Sequence, residues 1–156
     1  MIVAAGRTAH VGVPLYVHIV GAMLLIGTLL FVASAIVIGW RGNDSDDTAL
    51  TRHGLRMLLM GVLPSYILMR IGAQWTESAE NFPDDYDPAW LGIGYITADA
   101  GALLVLISVV LSAIGLRKLR REGGGGLGLA RAVGVISLLL LAAYVVAVWA
   151  MSGKPT

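Results

Sequence analysis

No cysteine occurs anywhere in the chain, which excludes disulfides, thiolate metal sites, CxxC redox motifs and cysteine nucleophiles. Charge is scarce too: Asp, Glu, Lys and Arg make up 13% of the 156 residues, against about a quarter in soluble domains. The two signs nearly cancel, to a net charge of +1, so no basic excess points to nucleic acid. No nucleophile–base pattern, phosphate-cradling loop or metal-ligand spacing supports hydrolase or transferase chemistry. What fills the chain instead is apolar, with 57% hydrophobic residues and a mean hydropathy of +0.80. The length is that of one domain, and this composition places that domain in a lipid bilayer.

Four apolar segments can each supply the roughly 20 residues that a spanning helix needs. They cover about 13–40, 50–79, 90–116 and 129–151. From Ile19 to Gly39 the first contains no charge, and its only polar side chains are Thr28 and Ser34. It is too long for a cleaved secretory signal and reads as a retained helix. Pro14 lies near its start, where a missing N–H costs little. Pro64 lies inside the second segment, where it frees the carbonyl of Met60 and is expected to kink the helix. Trp40, Trp75, Trp90 and Trp149 all fall at segment ends, the interfacial position that amphipathic rings prefer.

Cytoplasmic connections are enriched in Lys and Arg near helix ends. The first connection and its flanks carry Arg41, Arg52 and Arg56, and the third carries Arg117, Lys118, Arg120, Arg121 and Arg131. The second connection has no basic residue and holds Glu77, Glu80, Asp84, Asp85 and Asp87. Both termini and the acidic 77–90 loop are therefore expected outside, with the basic 117–131 loop in the cytoplasm. The expected architecture is an all-α, multi-pass four-helix membrane bundle.

Ionisable groups inside a span are costly and mark protein interiors or wet cavities. His18, Arg70 and Asp99 are the three clear cases. Each lies about eight residues, or ~12 Å at 1.5 Å per residue, in from the outer end of its span, and Tyr144 in the fourth segment lies at similar depth. Arg70, Gln74 and Glu77 are spaced i, i+4, i+7 and share a helix face, with Tyr66 one turn inward on the same stripe. A polar wedge is expected to open from the acidic loop into the bundle, lined by His18, Tyr66, Arg70, Gln74, Asp99 and Tyr144. Three readings stay open for this layer. Arg70 and Asp99 could form an ion pair that fixes helix register; the layer could be an outward-facing binding pocket or proton/ion site; or it could hold a redox cofactor. His53 and His10 read as interface residues, and Met57, Met60 and Met69 as an apolar core stripe rather than a copper site. Gly21, Ala22, Gly27, Ala98, Ala102, Ser108 and Ser112 are small enough for close helix approach, within the bundle or between copies in a homo-oligomer or larger membrane complex.

The run Tyr16-Val-His18-Ile-Val-Gly21-Ala22-Met-Leu-Leu-Ile-Gly27 resembles the opening helix of bacterial inner-membrane proteins related to the copper-resistance D family. Its relatives include four-helix integral membrane proteins and a haem-binding protoporphyrinogen oxidase. The resemblance covers about a dozen residues of this chain and implies His18 as a haem or metal ligand. It does not carry over the second histidine or the third-helix lysine of the haem-binding relatives, since position 99 is Asp. A binding, transport-associated or accessory-subunit role is the expectation from the polar layer; a membrane redox protein or enzyme holding haem or quinone near His18 is the alternative.

Overall fold

The structure is a computed structural model that describes residues 9–40, 45–80, 89–122 and 126–153. The described residues are almost entirely helical: α1 (Ala9–Gly39), α2 (Ser45–Met57), a π-helical turn (Leu58–Val62), α3 (Leu63–Glu80), α4 (Ala89–Glu122) and α5 (Leu127–Gly153). The α2–π–α3 run is one continuous rod, so four helices are long and apolar enough to cross a membrane: Gly12–Gly39, Asp47–Glu80, Leu91–Arg121 and Leu127–Ser152. Helices apolar on every side cannot bury all their faces in a small bundle. Leu30 and Phe31 on α1, Leu103 and Leu106 on α4 and Leu139 and Val146 on α5 accordingly point outward.

α1 is the central helix. Leu25, Leu29, Val32 and Ile36, at helical spacing, are fully buried and form one core with Leu55, Leu58, Val62, Val105, Val133 and Leu140. Gly54 of α2 faces Ile36, and Gly134 of α5 faces Ile36 and Trp40, so small residues let α2 and α5 close on this end of α1. α5 runs antiparallel to α4, with Gly115 against Leu129, Gly101 against Tyr144 and Gly94 against Met151. At the other end of the bundle α1 pairs with α3 through two close approaches. A Cβ on Gly21 would come within 3 Å of the Met69 backbone, and one on Gly72 within 3 Å of the His18 backbone. There the α3 and α4 backbones approach at only a few points, and among the described residues the α1 and α4 backbones do not approach each other. The two helix pairs splay apart.

Two proline expectations are revised. α1 starts at least as early as Ala9, so Pro14 lies inside the helix and deprives the His10 carbonyl of its i+4 donor. Just before Pro64, Leu63 N–H donates to the Leu58 carbonyl, an i→i−5 bond, and the backbone widens into the π-turn, which contains Met60, the residue whose carbonyl Pro64 leaves without its i+4 donor. The three methionines do not form one core stripe: Met69 is buried, Met57 half-buried and Met60 81% exposed, as nine residues at about 100° each set Met60 and Met69 on opposite faces.

The basic 117–131 stretch is mostly not a loop. Arg117 to Arg121 continue α4 and Arg131 belongs to α5, because the negative end of the α4 dipole is stabilised by cations in its last turn. Glu77 and Glu80 likewise belong to α3, while Asp84, Asp85 and Asp87 lie outside the described residues.

Candidate functional site

The splayed end holds a half-open cavity of about 840 Å³, lined by all four long helices. Its walls are largely apolar: Leu15, Ile19, Ala22, Met23 and Ile26 of α1, Met69 and Ala73 of α3, Leu91 and Ala98 of α4, Val148 and Met151 of α5. Polar groups gather on one side, with His18 facing a row of α3 residues comprising Arg70, Gln74, Thr76, Glu77 and Glu80. The wedge expected from the sequence is thus present as a space, but it is an apolar chamber with one polar wall.

Helical spacing explains that wall. Residues 70, 73, 74, 77 and 80 recur every three or four positions, so they share the α3 face that looks past α1 toward α4. Arg70 Nη2 donates to Asp99 Oδ1 at 2.5 Å, bridging α3 and α4 where their backbones otherwise diverge. The guanidinium side chain is 28% exposed and the carboxylate 66%. Asp99 is not among the residues that line the cavity. One turn below, the Tyr66 hydroxyl donates to the Ala98 carbonyl at 3.0 Å. Two adjacent side chains of α3 thus grip consecutive residues of α4.

His18 is held by a different contact. Its Nδ1 lies 3.0 Å from the Met69 carbonyl oxygen. A carbonyl accepts only, so the proton of the bond resides on Nδ1, and in the neutral ring Nε2 is left as an acceptor. The close passage of α1 over Gly72 and Gly21 makes this bond reachable. Among the described residues no group of three His, Cys, Asp or Glu is gathered as a metal cage. His53 is exposed and bonds the Ala49 carbonyl of its own helix at 2.7 Å, while the His10 side chain lies outside the described residues.

The structure brings His18, Arg70 and Gln74 to the cavity wall, and Tyr66 and Asp99 to the bridge outside the lining. Tyr144 does not join them. It is buried, with its hydroxyl against Gly101 and no hydrogen-bond partner among the described residues. Depth along the helix predicted its level but not its direction. Tyr95, which reads in the sequence only as an aromatic near a span end, lines the cavity together with Glu77. The i to i+4 step from Leu91 to Tyr95, both lining residues, is the signal that marks this face of α4.

The two tyrosines give a direct comparison. Tyr66→Phe removes an interhelical hydrogen bond and is expected to destabilise by about 0.5–1.5 kcal/mol, whereas Tyr144→Phe removes a buried hydroxyl with no partner among the described residues and should be neutral or stabilising. Thermal unfolding in detergent checks both; a larger loss for Tyr144→Phe would show that its hydroxyl has a partner after all. No family model matches the chain, and neither a curated protein nor a solved structure matches it.

Proposed function

We propose that the chain is an integral membrane protein that binds a small amphipathic molecule in the cavity at its acidic end, and that this end faces outward. The cavity carries the reading. A chamber of about 840 Å³ with apolar walls and one polar side has the size and chemistry of small-molecule sites, which run roughly 300–1,000 Å³ with a few converging polar groups. An ion pair serving register alone needs no such space beside it. The role is binding, transport-associated or accessory to a larger complex.

Orientation rests on the distribution of charge. Arg52, Arg56, Arg117, Lys118, Arg120, Arg121 and Arg131 cluster at one end of the bundle, Glu77 and Glu80 at the other, which the positive-inside rule assigns to cytoplasm and exterior. The absence of native cysteine makes single-cysteine labelling clean. Ser78→Cys is expected to react with an impermeant maleimide in intact cells, and Gly124→Cys only after permeabilisation. The opposite pattern would invert the assignment.

The pocket itself is tested from the same background. Ala73→Cys, on the cavity wall, should be modified from outside by a small cationic thiosulfonate, while Ile67→Cys, 48% exposed on an outward face of α3, should stay unmodified in lipid. Equal protection of both positions would mean that the cavity is closed to water. The alternative, a redox role with His18 Nε2 as ligand to haem, as the resemblance of the first helix implies, predicts a Soret band in the purified protein that His18→Ala removes.

A further inference from the structure

From the charge balance of the cavity wall we infer that the ligand is a lipophilic cation: an amine, quaternary ammonium or phosphonium centre carried on an apolar body. This rests on the binding reading above and specifies it. The lining holds one guanidinium and two carboxylates, Arg70 against Glu77 and Glu80. Arg70 is already bonded to Asp99, which lies outside the lining. Its charge is met there, so the wall presents the two glutamates to whatever occupies the space.

The rest of the chamber strengthens their effect. Apolar walls of low polarisability focus the field of fixed charges into the space between them. A bound cation would sit in a medium where screening is weaker than in water. Tyr95, on the same side as Glu77, offers a ring face and a phenol dipole, both favourable to a cation. An anionic ligand would face the two carboxylates with no unpaired Arg or Lys among the described lining residues to offset them. A neutral lipid would leave them without a counter-charge.

The test uses a pair of probes of equal shape and opposite charge, tetraphenylphosphonium and tetraphenylborate. Each is equilibrated by dialysis against the full-length protein in non-ionic detergent, with empty micelles subtracted. The phosphonium is expected to bind at least about tenfold more tightly than the borate, a difference of ~1.4 kcal/mol. The paired change Glu77→Gln with Glu80→Gln keeps size and hydrogen bonding and should bring the two probes within about threefold of each other. Glu80→Lys should reverse the preference. Ala73→Trp projects an indole into the chamber and should sharply weaken saturable retention of both probes, which separates the site from the micelle. Thermal melts of each variant establish that the fold is intact.

Borate binding as tight as phosphonium binding, weakened in Ala73→Trp, would overturn the cation reading while leaving the pocket standing. Phosphonium binding undiminished by the paired Gln change would also overturn it. Retention of neither probe would end it, and the pocket would then stand or fall on the labelling of Ala73→Cys.

Discussion

Asp99→Leu is expected to destabilise the protein more than Arg70→Leu, although the two side chains share one bond. Removing either partner strands the other. A stranded carboxylate escapes by taking up a proton, whereas a guanidinium stays charged at any accessible pH. In a bilayer a lone Arg, Lys or Asp near a helix centre costs about 2.5–3.5 kcal/mol on insertion scales, and long side chains recover part of that by snorkelling. Asp99→Leu should therefore cost on the order of 2–3 kcal/mol and Arg70→Leu about 1–2. These values fall below the ~3–5 kcal/mol of a fully buried broken pair, because protonation of a stranded carboxylate and snorkelling of a stranded guanidinium relieve part of the cost. The double change to leucine should be milder than Asp99→Leu alone. Unfolding free energies in mixed micelles give the cycle; single effects that simply add would show the bridge to be idle. A double variant that keeps its fold yet loses probe binding would tie the bridge to the pocket, by holding α3 and α4 at the distance the cavity needs.

The second large effect lies at the α1–α3 crossing. Gly72→Ala would set a Cβ within 3 Å of the backbone N and Cα of His18, and Gly21→Ala would do the same against Met69. Backbone atoms have no rotamer to retreat to, so the helices must part. Overpacking of this kind costs about 1–3 kcal/mol, and separation also stretches the His18–Met69 hydrogen bond, which at net values near 1 kcal/mol is the smaller loss. Gly27 is the internal control on the same helix as Gly21. Nothing stands within 4 Å of its Cβ position, so Gly27→Ala should stabilise by roughly 0.5–1 kcal/mol through lost backbone freedom in the unfolded chain. Opposite signs at positions 21 and 27 are the expected result; a shared sign would mean that the crossing is looser than it stands here.

That contrast also shows what the sequence could and could not reveal. Gly21 and Gly27 read alike as small residues in an apolar helix, because composition carries no azimuth. Only the partner helix distinguishes them. The four long helices were legible because hydropathy sums locally over twenty residues and needs no partner. Arg70 and Asp99 were legible as a pair for a related reason: unlike charges at one depth have few alternatives in an apolar bundle. His18 was legible by depth, but its contact is the Met69 carbonyl, a backbone group that no side-chain pattern announces. Tyr144 shared the level of the others and turned to Gly101. Pro64 marked a deformation, and the π-turn it accompanies sits at Leu58–Val62, ahead of it.

An α-helix keeps a strict angular phase, about 100° per residue. The i→i−5 ring at Leu58–Val62 accommodates one residue more than an α turn, and so sets the angle between Leu55 on one side and Arg70 on the other. Losing a single residue there would let the ring close as ordinary helix and rotate everything from Ser65 to Glu80 as a block, by about 100°. Arg70 would leave Asp99, Glu77 and Glu80 would swing off the cavity wall, and a residue with a side chain would replace Gly72 beneath His18. None of those residues would have changed. The five residues of the π-turn act as a rotary index for the pocket, so its charge can be re-aimed by a one-residue insertion or deletion about two to five turns from the groups that carry it.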